Sequence, residues 1–183
     1  GHTLGNALRR ILLSSMPGAA VVQAQITGVL HEYTTEEGVQ EDVPQIILNI
    51  KKLVLRSFSR TPRILTIDKD KIGPVTAADI VTDETTEIIN PDLHIATLTK
   101  KKSLHIELEV GRGRGFVPSE KNKKENQPIG TVPIDSIFSP VKKVNIQVEN
   151  TRVGQITDYD RLNIEVWTNG SVAPKEALLY AAN

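Results

Sequence analysis

The chain has 183 residues, 39% hydrophobic and 24% charged, which is enough for a folded core of domain size. Its 22 basic and 22 acidic residues cancel, so the cationic surplus that drives non-specific phosphate binding is missing. There is no cysteine, which excludes disulfides, thiolate catalysis and cysteine-based zinc sites and fits the cytosol, and neither a membrane-spanning apolar run nor a signal peptide is visible.

The opening GHTLGNALRRILLSS reads as an amphipathic helix, with Thr3 as N-cap and Pro17-Gly18 as the stop. At about 100° per residue, Leu4, Ala7, Leu8, Ile11, Leu12 and Met16 make one broad apolar stripe, while Asn6, Arg9, Arg10 and Leu13 gather opposite. Arginine beside an exposed leucine is the usual composition of an interface anchor. With glycine first and a helical pattern at each end, the sequence reads as an internal fragment.

Residues 19–34 carry alternating and β-branched residues and read as strand. An acidic loop, TTEEGVQED, leads to Asp42 and Pro44 as a helix entry, with Ile46, Ile47 and Ile50 as the apolar face behind them. LVLRSF and RILTID read as strands, and KIGPVTAADI as a loop and turn. HIATLT and SLHIELEV are predicted to pair as a hairpin around Lys100–Lys102. GRGRGFVPSEKNKKENQ is predicted as loop throughout, and TVPIDSIF as strand. SPVKKVNIQVENTRV and RLNIEVWT read as two strands joined by a turn over GQITDYD, and Pro174 opens a last helix. The fold class is α+β.

Motifs for catalysis are missing. GRGRG is not a GxGxxG fingerprint, Pro118 stops a helix after it, and no Walker lysine follows. Arg112 and Arg114 leave open a direct nucleic-acid-binding module. His2, His31, His94 and His105 are scattered without metal-ligand spacing, and no G-x-S-x-G occurs. Glu36, Glu37, Glu41 and Asp42 lack the spacing of a calcium loop. The run Lys121, Lys123, Lys124 has no neighbouring aromatic and reads as a soluble linker. A stand-alone enzyme would need converging titratable groups, and none is apparent. No metal and no cofactor are expected.

Several long stretches, in order, resemble the α subunit of bacterial or plastid DNA-directed RNA polymerase: GHTLGNALRRILLSSMPGAAV, GVLHEYTTEEGVQEDV, GPVTAADI, GRGRGFVP, PIG and SPVKKVNIQVENTRVGQITDYDRLNIEVWTNG. The resemblance covers nearly the whole chain. It implies a dimerisation subdomain of helices and strands from both chain ends, 1–17 and 140–183, with a strand-rich subdomain, 18–139, inserted between them. It implies a homodimer that assembles the β and β′ subunits in a cytoplasmic complex (at the bacterial nucleoid, or in the plastid stroma). Within that nucleotidyltransferase complex the chain would be non-catalytic and would meet DNA only indirectly. In the family the NALRR helix docks on β, which places Arg9, Arg10 and Leu13 there, and the EEGVQED loop adds Glu36, Gly38, Glu41 and Asp42. Leu4, Leu8, Ile11 and Leu12 would serve the dimer interface, and Pro74 and Ile134 are the nearest matches to β′ contacts. The family also has a strand before Gly1, a longer last helix and a promoter-contacting C-terminal domain, none of which is in this sequence. It often has Asp where Ala173 stands, before the proline of the last helix.

Overall fold

The computed structural model describes every residue except 1, 30–34 and 155, and the side chains of all others except 151–153 and 156–159. Helix α1 (His2–Ser14) leads into strand β1 (Pro17–Ile26), and α2 (Val43–Lys51) follows the acidic loop. Next come β2 (Leu55–Ser57), β3 (Arg63–Lys69), β4 (Gly73–Thr76), a short 3-10 turn over Ala77–Asp79, β5 (Ile80–Val81), β6 (Thr86–Ile88) and β7 (His94–Leu98). The second half holds β8 (Leu104–Arg114), β9 (Phe116–Val117), α3 (Ser119–Asn122), β10 (Thr131–Pro133), β11 (Ser136–Ile137), β12 (Val141–Val153), β13 (Ile156–Thr168) and α4 (Pro174–Ala182). The predicted α+β class is observed.

The largest sheet is antiparallel in the order β10-β1-β8-β3-β5. Alternation along β8 buries Leu104, Ile106, Leu108 and Val110 and turns His105, Glu107 and Glu109 outward. Against the buried face lie Val43, Ile46 and Ile50 of α2, with Ile95 and Leu98 of β7. Asp42 caps α2, its carboxylate accepting the Gln45 N–H at 3.0 Å, with Pro44 in the first turn.

A second apolar cluster stands apart. Leu8, Leu12 and Met16 pack with Val141 and Val144 of β12 and with Ala177 and Ala181 of α4. The β12–β13 hairpin pairs Val144 with Val166 and Ile146 with Ile164 on its apolar face, and Asn145 with Glu165 and Glu149 with Arg161 on the other. Gly5 lets α1 approach closely, since a Cβ there would lie 2.9 Å from Ile146 and 3.1 Å from Leu162.

Seven features differ from the expectations read in the sequence. Thr3 lies inside α1, which begins at His2. Of residues 19–34, the strand proper is β1, already begun at Pro17, and 30–34 lie outside the described residues. GPVT is a strand, not a loop, because it pairs with β7. That pairing also removes the predicted hairpin: β7 takes β4, while β1 and β3 pair with β8 along both of its edges. GRGR continues β8, since Pro17–Ala20 of β1 supplies the partners of Gly111–Arg114. Its glycines carry larger neighbours, as a Cβ on Gly113 would stand 2.8 Å from the Phe138 ring and one on Gly111 3.4 Å from Val22. Lastly, TVPIDSIF splits into β10 and β11, and the turn expected over 154–160 shrinks, because β13 already begins at Ile156.

Helix α4 has Ala173 at its N-cap position with no side-chain cap, and its start is marked by Pro174 and by Glu176 in the first turn. Ala173→Asp is predicted to stabilise the fold by about 0.5–2 kcal/mol, read as a higher urea midpoint at unchanged slope. No shift, or a lower midpoint, would mean that the helix start is satisfied in another way.

Candidate docking surfaces

The two faces of α1 have different fates. Gly5, Leu8 and Leu12 turn inward and are buried, and Ile11 is half-buried at the border. Arg9 and Arg10 are exposed, and neither has a hydrogen-bond or ion-pair partner among the described residues. Leu13 is half-buried and packs against the second cluster. It therefore sits at the edge between the faces and not wholly among the polar residues, as the helical wheel had it. Leu4 is 59% exposed, as are Leu179 and Tyr180 to similar degrees on α4, the helix against which α1 packs.

The EEGVQED loop is folded onto its own chain. Glu36 accepts from Lys102 and Glu37 from Lys100 at 2.9 Å. Lys100 holds the Glu37 carboxyl below the ordinary carboxylate range, chiefly through that hydrogen bond. Glu41 accepts the Thr97 N–H at 2.8 Å and lies 3.4 Å from His94. Asp42 is the exposed cap of α2. Gly38 is buried with φ of 84°, where a side chain would be strained. Lys100 and Lys102, expected to form a hairpin turn, are thus the cations that organise this acidic loop. Of the loop residues predicted as contacts, Asp42 is exposed, Glu36 and Glu41 are partly covered, and Gly38 shapes the backbone.

Pro74 is exposed on β4. Ile134 is 1% exposed and belongs to the main core. Its side chain therefore cannot be a surface contact, which corrects the expectation for that residue. It sits between β10 and β11 and completes the apolar layer under β1, its N–H donating to the Val22 carbonyl at 2.9 Å. The neighbouring β11 exposes Ile137 directly across from exposed Phe116 of β9.

Arg112 and Arg114 project from β8. Arg114 reaches the Tyr180 hydroxyl at 3.5 Å, and Arg112 has no partner among the described residues. The lysine run read as a linker instead straps the outer face of the sheet. Lys124 pairs with Glu109 at 2.9 Å, and Gln23 donates to the Asn122 carbonyl at 2.6 Å. Asp135, held well ionised chiefly by Lys51, anchors the start of α3 by accepting the Ser119 N–H at 2.7 Å.

The histidines do not converge. His2 is exposed, His31 lies outside the described residues, His94 pairs with Glu41, and His105 lies 2.5 Å from Asp68, whose hydrogen bond raises the His105 pKa. Among the described residues no group of histidines and carboxylates is arranged to hold a metal ion, and no helix is long and apolar enough to cross a membrane. Sequence reasoning missed the Phe116–Ile137 pair and the exposed Phe58, because single large apolar residues beside turns carry no periodic signal.

A family profile described as "RNA polymerase Rpb3/RpoA insert domain" matches residues 24–139. The chain is 59% identical over 182 residues to a protein of Moorella thermoacetica named DNA-directed RNA polymerase subunit alpha, covering 100% of this chain and 58% of that protein. It is also 59% identical over 178 residues to the protein of the same name from Bacillus velezensis, covering 97% of this chain and 57% of that one. The chain thus spans somewhat more than half the length of these relatives.

Proposed function

Since this chain belongs to the family of DNA-directed RNA polymerase α subunits, we propose that it is an assembly scaffold. It pairs with a second copy and docks the large β and β′ subunits in the bacterial cytoplasm, while nucleotidyl transfer takes place elsewhere in the complex. The observation that carries this reading is the two-sidedness of α1: Leu8 and Leu12 serve the chain's own core, while Arg9 and Arg10 stand outside it without partners among the described residues. Direct nucleic-acid binding through Arg112 and Arg114 is not favoured.

In this reading residues 1–17 and 140–183 form the dimerisation part and 18–139 the insertion. The membership of the two apolar clusters supports that division: every residue of the smaller comes from the first set and every residue of the larger from the second. Leu4, Leu179 and Tyr180 leave apolar surface on two adjoining helices, and a second copy related by twofold symmetry would cover it. Leu8, Ile11 and Leu12 then support the interface from beneath. On the outer side Arg10 offers charge-assisted hydrogen bonds to β, with Arg9 beside it and Leu13 as the apolar margin. Asp42, with the covered Glu36 and Glu41 and the Gly38 turn, would present a preformed loop to the same partner, and Pro74 remains the candidate for β′.

Light scattering on the purified chain is expected to give twice the chain mass alone and the mass of two chains plus one β when β is added. A monomer at all concentrations, with no uptake of β, would contradict the scaffold reading.

A further inference from the structure

Past α2, Arg56 of β2 is followed by Phe58 and by Arg60 at a bend, alternate residues that all reach toward solvent to some degree, Phe58 being 69% exposed. Three clefts open along this stretch. The first, of 600 Å³, lies between Arg56 and Phe58 on one side and Val172, Pro174 and Glu176 on the other. The second, of 160 Å³, shares Arg56 and Phe58 with the first and adds Arg112. The third, of 360 Å³, shares Arg112 with the second and adds Arg60 and Lys124, with Gly111 and Gly113 also in its lining. Neighbouring clefts therefore border common side chains, Arg56 and Phe58 between the first and second and Arg112 between the second and third.

From this succession of adjoining clefts we infer an extended trough that binds an acidic segment of a partner polypeptide in strand-like conformation. Its cations are in reach of a ligand. Arg60 and Arg112 have no partner among the described residues. Arg56 is already held in place by the Ser171 carbonyl at 2.9 Å, with Glu87 3.4 Å away on its exposed side. Side chains of an extended peptide alternate in direction every second residue, the same period as Arg56, Phe58 and Arg60. Exposed arginine and phenylalanine side by side are the composition of interface anchors. A nucleic-acid strand fits less well. Glu109 and Glu176 also line the trough, its second aromatic, Phe138, is buried and leaves Phe58 alone exposed for stacking, and the net charge of the chain is zero. The trough does not involve Arg9 or Arg10 and does not depend on the docking role given to α1.

The test is fluorescence anisotropy with a labelled peptide of alternating glutamate and valine, run against a lysine–valine peptide of equal length and a thymidine oligonucleotide. The glutamate peptide should bind saturably, weaken with salt, and bind about tenfold more weakly to Phe58→Ala and to the Arg60→Ala/Arg112→Ala double variant. Arg10→Ala should bind it like the parent chain, so failure here and failure of the scaffold reading are distinguishable. All substituted side chains are exposed, and thermal melts check that the variants remain folded. Absence of binding by the glutamate peptide, binding indifferent to these substitutions, or tighter binding of the oligonucleotide would each overturn the inference.

Discussion

Gly18→Ala is predicted to destabilise the protein by about 3 kcal/mol, the upper part of the usual range for overpacking. A Cβ at Gly18 would stand 1.8 Å from the carbonyl oxygen of Phe138 and 2.9 Å from its carbon. That obstacle is backbone, so no rotamer change relieves it. Neither side is free to withdraw. The Phe138 N–H donates to Gly115 at 2.8 Å, its ring covers Gly113, and Gly18 is itself the ladder partner of Gly113. Relief requires β1 to separate from the segment entering β12, the place where the chain leaves and rejoins the part that carries the second cluster. Gly111→Ala on the neighbouring strand is the control, because its Cβ would meet Val22 at an ordinary 3.4 Å. Urea denaturation of both variants checks the contrast: a Gly18 loss well under 1 kcal/mol, or one equal to that at Gly111, would contradict it.

Leu12→Ala is predicted to cost about 2–5 kcal/mol, the range for emptying a fully buried leucine site. Leu12 is fully buried at the centre of the smaller cluster, among Met16, Val141, Val144, Ala177 and Ala181. The larger cluster contains none of these residues, so the loss should be local before it is global. Hydrogen exchange should show protection falling in α1, α4 and the β12–β13 hairpin while α2 and the centre of β8 hold. A uniform fall across both regions would mean that the two clusters open as one unit.

Helix and strand periods were legible where one face meets a core and the other meets water. The stripe of α1, the capped start of α2 at Asp42 and Pro44, and the alternation in β8 and β12 all follow from residue order. What residue order could not reveal was pairing between distant segments. Nothing local to GRGR indicates a strand, as its partner is Pro17–Ala20, and its glycines are shaped by Phe138 and Val22. Nothing local to Lys100–Lys102 indicates that these lysines turn toward Glu36 and Glu37. The same limit applies to the candidate surfaces. Arg9 and Arg10 were readable as exposed from the helical period alone, whereas Leu13 moved toward the core because the hairpin and α4 fill the space beneath the helix. Ile134 is named as a contact only through the family resemblance, and its position between β10 and β11 turns its side chain under β1.

The central proposal is that the outward side of α1 captures another polypeptide and contributes little to the chain's own stability. The direct measurement is the affinity of purified β for this chain and for Arg10→Ala, taken with the mass and melting temperature of each. An unchanged mass and melting temperature with β bound at least about tenfold more weakly is the expected result, since a central arginine anchor costs about 2 kcal/mol or more when truncated. Equal affinity for β in the two proteins, or a variant that loses its fold along with its partner, would contradict it.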